Sequence, residues 1–144
     1  MDVVDRKILA LLTEDARRSY GDIGDQVALS APAVKRRVDR LRRDGALLGF
    51  TTVLDQAALG ATTEALVELF YAPGTLLDEV AATLARYPEV VEAFSVTGEA
   101  DAIARVRTQD NADLERVIME LQRDGHVVRT RSQVVLSQLV PGPT

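Results

Sequence analysis

Apolar side chains recur at helical spacing in the first third of the chain. Val34, Val38 and Leu41 stand at i, i+4 and i+7, a spacing that predicts one buried stripe along an amphipathic helix. Ser30 suits the N-cap of this helix, and Gly45 suits the position that follows its last turn. We therefore predict a single helix between Ser30 and Gly45, with one buried side and one solvent-facing side.

Two shorter apolar stripes precede this helix. Asp2 can cap a helix whose stripe spans residues 4–12, and Ser19 can cap a second helix that contains Ile23. The tripeptide 28–30 leaves room for only a tight turn before the third helix. Three short helices with such a turn predict a helix-turn-helix, in which the second helix braces the third for entry into a DNA groove.

After residue 60 the pattern changes to alternating strands and helices. Strands are predicted at 63–71, 90–97, 101–107 and 127–139, and helices at 76–87 and from Asp110 or Asn111 to Gly125. The order βαββαβ predicts a ferredoxin-like fold, whose two helices cover one face of the sheet. Several of these strands are apolar on both faces, so we expect a second copy of the chain to cover the bare face in a two-fold dimer.

A connecting segment lies between the helical pattern of the first third and the strand–helix pattern after residue 60. Residues 50–54 are β-prone, and the segment that follows ends in a turn at Gly60. A strand here could tether the two units, or it could pair with its counterpart in another chain. The sequence therefore predicts an α+β protein with a helix-turn-helix domain at 1–48, a linker or hinge strand at 49–60 and a ferredoxin-like domain at 61–140.

The charge distribution supports nucleic-acid binding by the first domain only. The whole chain has a net charge of −5, but residues 1–50 carry +2 and residues 51–144 carry −7. DNA phosphates sense the local field within a Debye length. The predicted DNA-contacting residues are Ser30, Ala31, Pro32, Lys35, Arg36, Arg37 and Arg40. A solvated charged face on a purely structural three-helix bundle is the alternative.

The composition also argues against several classes of protein. The chain has no cysteine, so it has neither disulfides nor a cysteine-based metal site. No apolar run approaches the ~20 residues of a membrane span, and no signal peptide is visible, so we expect a cytoplasmic protein. His126 is the single histidine, and the carboxylate pair Glu99 and Asp101 has no evident partner site. We therefore predict no enzyme activity, catalytic residue, metal or cofactor.

The chain resembles the Lrp/AsnC (feast/famine) transcription regulators over nearly its full length. The resemblance rests on five motifs in order: Asp2-x-x-Asp5-x-Lys7-Ile8-Leu9, Ala28-Leu29-Ser30 before Val34-x-Arg36-Arg37-Val38-x-Arg40-Leu41, Gly45-x-Leu47-x-Gly49-Phe50, Thr97-Gly98-x-x-Asp101, and Thr130-x-Ser132-x-Val134-Val135-Leu136. It implies a winged-type reader of double-stranded DNA. It also implies an amino-acid-sensing domain that forms homodimers and assembles further into tetramers or octamers.

The resemblance implies an effector site at Gly98, Asp101, Thr130 and Ser132. Chemically, Gly98 lets backbone N–H groups approach a carboxylate, and Asp101 can accept from an ammonium group. Equally, Gly98 can simply turn a hairpin that Asp101 caps, and threonine is common in strands. The family often has an aromatic residue before the aspartate, where this chain has Ala100. An effector-independent architectural or protein-binding regulator is therefore the alternative.

Overall fold

The computed structural model describes residues 1–140, and the chain divides between Val53 and Leu54 into two units. The first unit contains three helices: α1 (Val3–Glu14), α2 (Tyr20–Val27) and α3 (Ala31–Arg43). Their apolar stripes meet in one core, formed by Ile8, Leu11, Leu12, Ile23, Val34 and Val38. The predicted helix-turn-helix is therefore confirmed.

The helix starts follow the predicted caps, with one difference. The Asp2 side chain accepts from the Asp5 N–H, and the Asp5 side chain accepts from the Asp2 N–H, which makes a capping box. Ser19 caps α2 by accepting from the N–H of Asp22. Ser30 occupies the N-cap of α3, but its side chain makes no capping hydrogen bond. Its backbone carbonyl accepts from the N–H groups of the first turn instead.

The turn between α2 and α3 requires a close backbone approach. Ala28 adopts a left-handed conformation (φ 54°), and the Leu29 N–H donates to the Gly24 carbonyl over 3.0 Å. A Cβ on Gly24 would lie 2.3 Å from the Leu29 carbonyl oxygen. Only glycine therefore lets the turn pack this closely on α2.

The predicted hinge strand is absent from the single chain, and its pairing with a counterpart in another chain stays a prediction. No strand is assigned between α3 and residue 63, and residues 56–60 form a hydrogen-bonded turn. A strand needs a neighbouring strand for its backbone groups, and the described chain brings none to residues 50–54. Within residues 1–53 the single chain has no strand beside the three helices, so the wing of the DNA reader stays a prediction.

The second unit has the predicted order βαββαβ. Its elements are β1 (Thr63–Tyr71), α4 (Leu77–Leu84), β2 (Val90–Ser95), β3 (Ala102–Thr108), α5 (Asn111–Arg123) and β4 (Val127–Val134). The strands form one antiparallel sheet in the order β2-β3-β1-β4. β4 was predicted to extend to residue 139, but it ends at Val134. The last backbone hydrogen bond to β1 runs from the Val135 N–H to the Glu64 carbonyl, and the pairing register with β1 ends at Val134.

The sheet has one covered and one open face. On the covered face Ala65, Val67 and Leu69 of β1 pack into a core with residues from α4 and α5. Side chains alternate along β1, so Leu66, Glu68 and their cross-strand partners belong to the open face. No helix in residues 1–140 has the length and apolarity needed to cross a membrane.

Candidate functional site

The exposed side of α3 begins at its first turn. The stripe Val34, Val38 and Leu41 is buried in the core of the first unit, so the residues between them face away from it. Of the predicted DNA-contacting residues, Arg37 is half-buried and the others are exposed: Ser30, Ala31, Pro32, Lys35, Arg36 and Arg40. The Lys35 ammonium lies 2.6 Å from the Asp39 carboxylate. Within residues 1–140, Arg36 forms no ion pair.

Two other predicted DNA contacts, Arg37 and Arg40, are held by carboxylates of α1. The Arg37 Nη1 donates to Asp2 over 2.7 Å and to Asp5 over 2.8 Å. The Arg40 Nη2 donates to both oxygens of Asp5 over 2.8 and 2.7 Å. The Asp5 side chain is 1% exposed. These contacts join the start of α1 to the middle of α3.

The same contacts shift the carboxylate pKa values. The Arg37 guanidinium and then the Asp5 N–H lower the pKa of Asp2 from 3.8 to about 2. The pKa of Asp5 is also lowered, chiefly by the hydrogen bond from the Asp2 N–H and further by Arg37 and Arg40, although burial opposes this shift. Both carboxylates are therefore ionised at neutral pH. Sequence reasoning missed this network, because it treated Asp2 only as a cap.

The β2–β3 hairpin contains two of the predicted effector residues. Gly98 has a φ of 121°, which favours glycine. The Asp101 Oδ2 accepts from the Tyr71 N–H over 2.8 Å, and the Asp101 N–H donates to the Leu69 carbonyl over 3.0 Å. Asp101 therefore caps the end of β1, and its Oδ1 has no hydrogen-bond partner within residues 1–140.

The other two predicted effector residues lie on the covered face. Thr130 and Ser132 stand opposite Leu69 and Val67 in the β1–β4 register. The Gln122 Nε2 of α5 donates to the Thr130 Oγ1 over 3.1 Å, which agrees with this placement. In the described part of the single chain, Thr130 and Ser132 thus share the covered face with Leu69 and Val67.

A different set of residues surrounds an open cavity of about 690 Å³ beside the hairpin. Its lining is Glu68, Ser95, Val96, Thr97, Glu99, Ala100, Ile103 and Arg131. The Arg131 guanidinium bonds Glu68 over 2.5 Å and Glu99 over 3.5 Å. The cavity therefore offers both a cation and carboxylates. Sequence reasoning missed Arg131 because it considered only the hydroxyl-bearing positions of β4.

Both units match known domain families. Residues 1–42 match the AsnC-type helix-turn-helix domain, and residues 64–144 match the Lrp/AsnC ligand binding domain. The chain belongs to the Lrp/AsnC family. As a member, it is a transcriptional regulator with a DNA-binding and a ligand-binding domain, and the prediction that it is not an enzyme is confirmed.

Individual Lrp/AsnC proteins are similar to the chain over nearly its full length. The HTH-type transcriptional regulator Rv2324 of Mycobacterium tuberculosis is 46% identical over 97% of this chain and 95% of its own length. The leucine response regulatory protein LrpA of M. tuberculosis has a solved structure with 28% identity and a TM-score of 0.86, covering 98% of this chain and 96% of that one. The Neisseria meningitidis regulator NMB0573, solved as an L-Met complex, shares the fold at 24% identity (TM-score 0.90; 98% of this chain and 93% of that one).

Proposed function

We propose that this regulator binds duplex DNA as a homodimer through the exposed first half of α3. The observation that carries the proposal is the solvent-facing surface of Ala31, Pro32, Lys35 and Arg36, at the N-terminal end of a helix whose opposite side is buried. In a helix-turn-helix, the N-terminal residues of the third helix face the base edges. Lys35 and Arg36 supply the cations that phosphates attract.

Arg36→Ala tests the DNA surface. Each lost phosphate contact weakens binding. It also makes the negative slope of the logarithm of the association constant against log[salt] shallower by about one. Fluorescence anisotropy on a labelled duplex, at several salt concentrations, measures both quantities. Arg6→Ala is the matched control, because Arg6 is an exposed arginine of α1 in the same unit. Equal affinity and slope in wild type and Arg36→Ala would contradict the proposed surface.

We further propose that the ligand-binding domain holds a free amino acid beside the β2–β3 hairpin. The Asp101 Oδ1 is available to accept from an ammonium group, since only Oδ2 is used by Tyr71. Gly98 leaves the hairpin backbone open, with nothing within 4 Å of the position of a Cβ. The matching family is defined as ligand-binding, and the L-Met complex of the N. meningitidis regulator is an example of an amino acid held by this fold.

Assembly through the second unit completes the proposal. On the open face, Ile103 of β3 stands between Glu68 of β1 and Phe94 of β2 in the strand registers. Phe94 is 58% exposed in the single chain, and covering such apolar side chains favours association. A two-fold dimer places two copies of α3 on two half-sites, as a pseudo-palindromic operator requires. Assembly to tetramers or octamers would repeat this arrangement.

A further inference from the structure

The contacts between α1 and α3 leave part of each arginine unused. Arg40 donates to Asp5 through Nη2 alone, and Arg37 donates to Asp2 and Asp5 through Nη1 alone. The other guanidinium nitrogens of both residues have no hydrogen-bond partner within residues 1–140. The Arg40 side chain is 44% exposed and that of Arg37 is 26% exposed. Each guanidinium is therefore anchored at one edge and still carries donors at the other.

We propose that Asp5 is a positioning residue for DNA binding, which holds Arg37 and Arg40 so that their free edges meet backbone phosphates. This inference rests on the proposed function of α3. A guanidinium is planar and carries five N–H donors in a fixed fork, so one edge can bind a carboxylate while the other binds a phosphate. A carboxylate behind the arginine fixes its rotamer before DNA arrives.

Burial makes Asp5 suited to this role. Its carboxylate is 1% exposed, is fixed in the capping box of α1, and receives donors from both arginines. It cannot follow the guanidinium groups outward without leaving the Asp2 N–H. Since long side chains lose rotamer freedom when they bind, an arginine that is already fixed loses less on contact with DNA.

An opposite role for the same contacts makes a different prediction. If Asp5 instead withheld the two arginines from DNA, removing its charge would release them and add one positive charge to the surface. Binding would then become tighter, with a steeper salt dependence. The two roles therefore predict opposite signs for one substitution.

Asp5→Asn is the decisive variant, because asparagine keeps the shape and the capping oxygen but loses the charge. We expect the full-length variant to bind a labelled operator-length duplex about tenfold more weakly than wild type. Far-UV circular dichroism and thermal melting establish that the protein is folded at the temperature of the measurement. Tighter or unchanged binding by the folded variant would overturn the proposal.

A double-mutant cycle separates positioning from a general effect on the fold. If Asp5 acts through Arg40, the loss of binding free energy in the double variant Asp5→Asn/Arg40→Ala is smaller than the sum of the losses in the two single variants. If Asp5 only supports the packing of α3, the two losses add. Additive losses would therefore reject positioning.

Arg40→Lys keeps the proposal testable even if Asp5→Asn does not fold. Lysine retains the charge and can pair with Asp5, but its ammonium has no second planar edge to offer a phosphate. We expect Arg40→Lys to bind more weakly than wild type although it keeps the charge, and wild-type affinity would overturn the proposal. Arg36→Ala, measured in parallel, tests the DNA surface itself. If Arg36→Ala loses DNA affinity while Asp5→Asn and Arg40→Lys keep it, only the positioning role is rejected and the DNA surface stands.

Discussion

At the scale of single residues, Asp5 completes the capping box with Asp2 and also accepts hydrogen bonds from Arg37 and Arg40. Asp2 was predicted as a cap because its partner Asp5 lies three residues away, within one helical turn. The hydrogen bonds that Arg37 and Arg40 donate to Asp5 span more than thirty residues. They depend on how α1 crosses α3, which no spacing along the chain determines.

Gly24 is a second residue whose role depends on the fold. Gly24→Ala would place a Cβ 2.3 Å from the Leu29 carbonyl oxygen, so the turn before α3 must shift. We expect a loss of about 1–3 kcal/mol in the free energy of unfolding, typical of overpacking. Denaturant unfolding followed by circular dichroism measures this loss.

Gly21→Ala is the matched control on the same helix. Its nearest neighbour would be the Ser19 Oγ at 3.7 Å, an ordinary contact. Alanine favours helix over glycine, so this variant should gain up to ~1 kcal/mol. If Gly24→Ala were as stable as Gly21→Ala, the close approach at the turn would not be a constraint.

At the scale of elements, those that depend on their own sequence were predicted best. The three helices of the first unit carry their caps and stripes within themselves. β1 was also predicted with the bounds observed, although it pairs with both β3 and β4. The strand at 50–54 is absent from the single chain, and β4 ends earlier than predicted, because a strand also depends on a neighbour, which the sequence does not reveal. The sheet register places Thr130 and Ser132 on the covered face of the single chain, and their role as effector residues stays a prediction.

The link between α1 and α3 should make the first unit sensitive to acid. Folding lowers the pKa of Asp2 from 3.8 to about 2 and also lowers that of Asp5. For a carboxylate with a depressed pKa, the stabilisation is present above the unfolded value and is lost as the pH falls through the folded value. We therefore expect the unfolding midpoint to drop between about pH 4 and pH 2.

Arg37→Gln separates this link from the other carboxylates of the chain. The variant removes the largest cause of the Asp2 shift, so its stability should fall less steeply over the same pH interval. Chemical unfolding at pH 7, 4 and 2.5, monitored by circular dichroism, gives both profiles. Parallel profiles for wild type and variant would show that the link does not control the acid response.

At the scale of the whole molecule, the change in pattern and the unequal charge predicted two units, with the first as the DNA-binding one, and the resemblance to the family implied a ligand-binding role for the second. Motif order then identified the family, although each motif alone was short. The position of an effector stays a prediction, because such a site forms from side chains that the sheet register brings together. The cavity beside the hairpin is lined by Glu68 and Arg131, which form an ion pair between β1 and β4. The two residues lie far apart in the chain, so no sequence motif indicated that they meet.

The last prediction concerns coupling between the proposed effector and assembly. A ligand shifts assembly only through its different affinities for the two states, and such couplings are typically ~1–3 kcal/mol. Asp101→Asn keeps an oxygen for the Tyr71 N–H but loses the charge that would meet an ammonium group. We expect it to abolish the response to free L-amino acids, while DNA affinity without ligand stays unchanged. Sedimentation velocity and DNA binding, each with and without millimolar amino acids, measure the response.

Asp110→Asn is the control for this experiment, because Asp110 also accepts from a backbone N–H, at the start of α5, and asparagine caps a helix equally well. It should respond as wild type does. A wild-type response in Asp101→Asn would mean that Asp101 serves only to cap β1. If no amino acid shifts the wild-type protein, the regulator is effector-independent. Ala100, which lines the cavity where the family often has an aromatic wall, then supplies the physical reason.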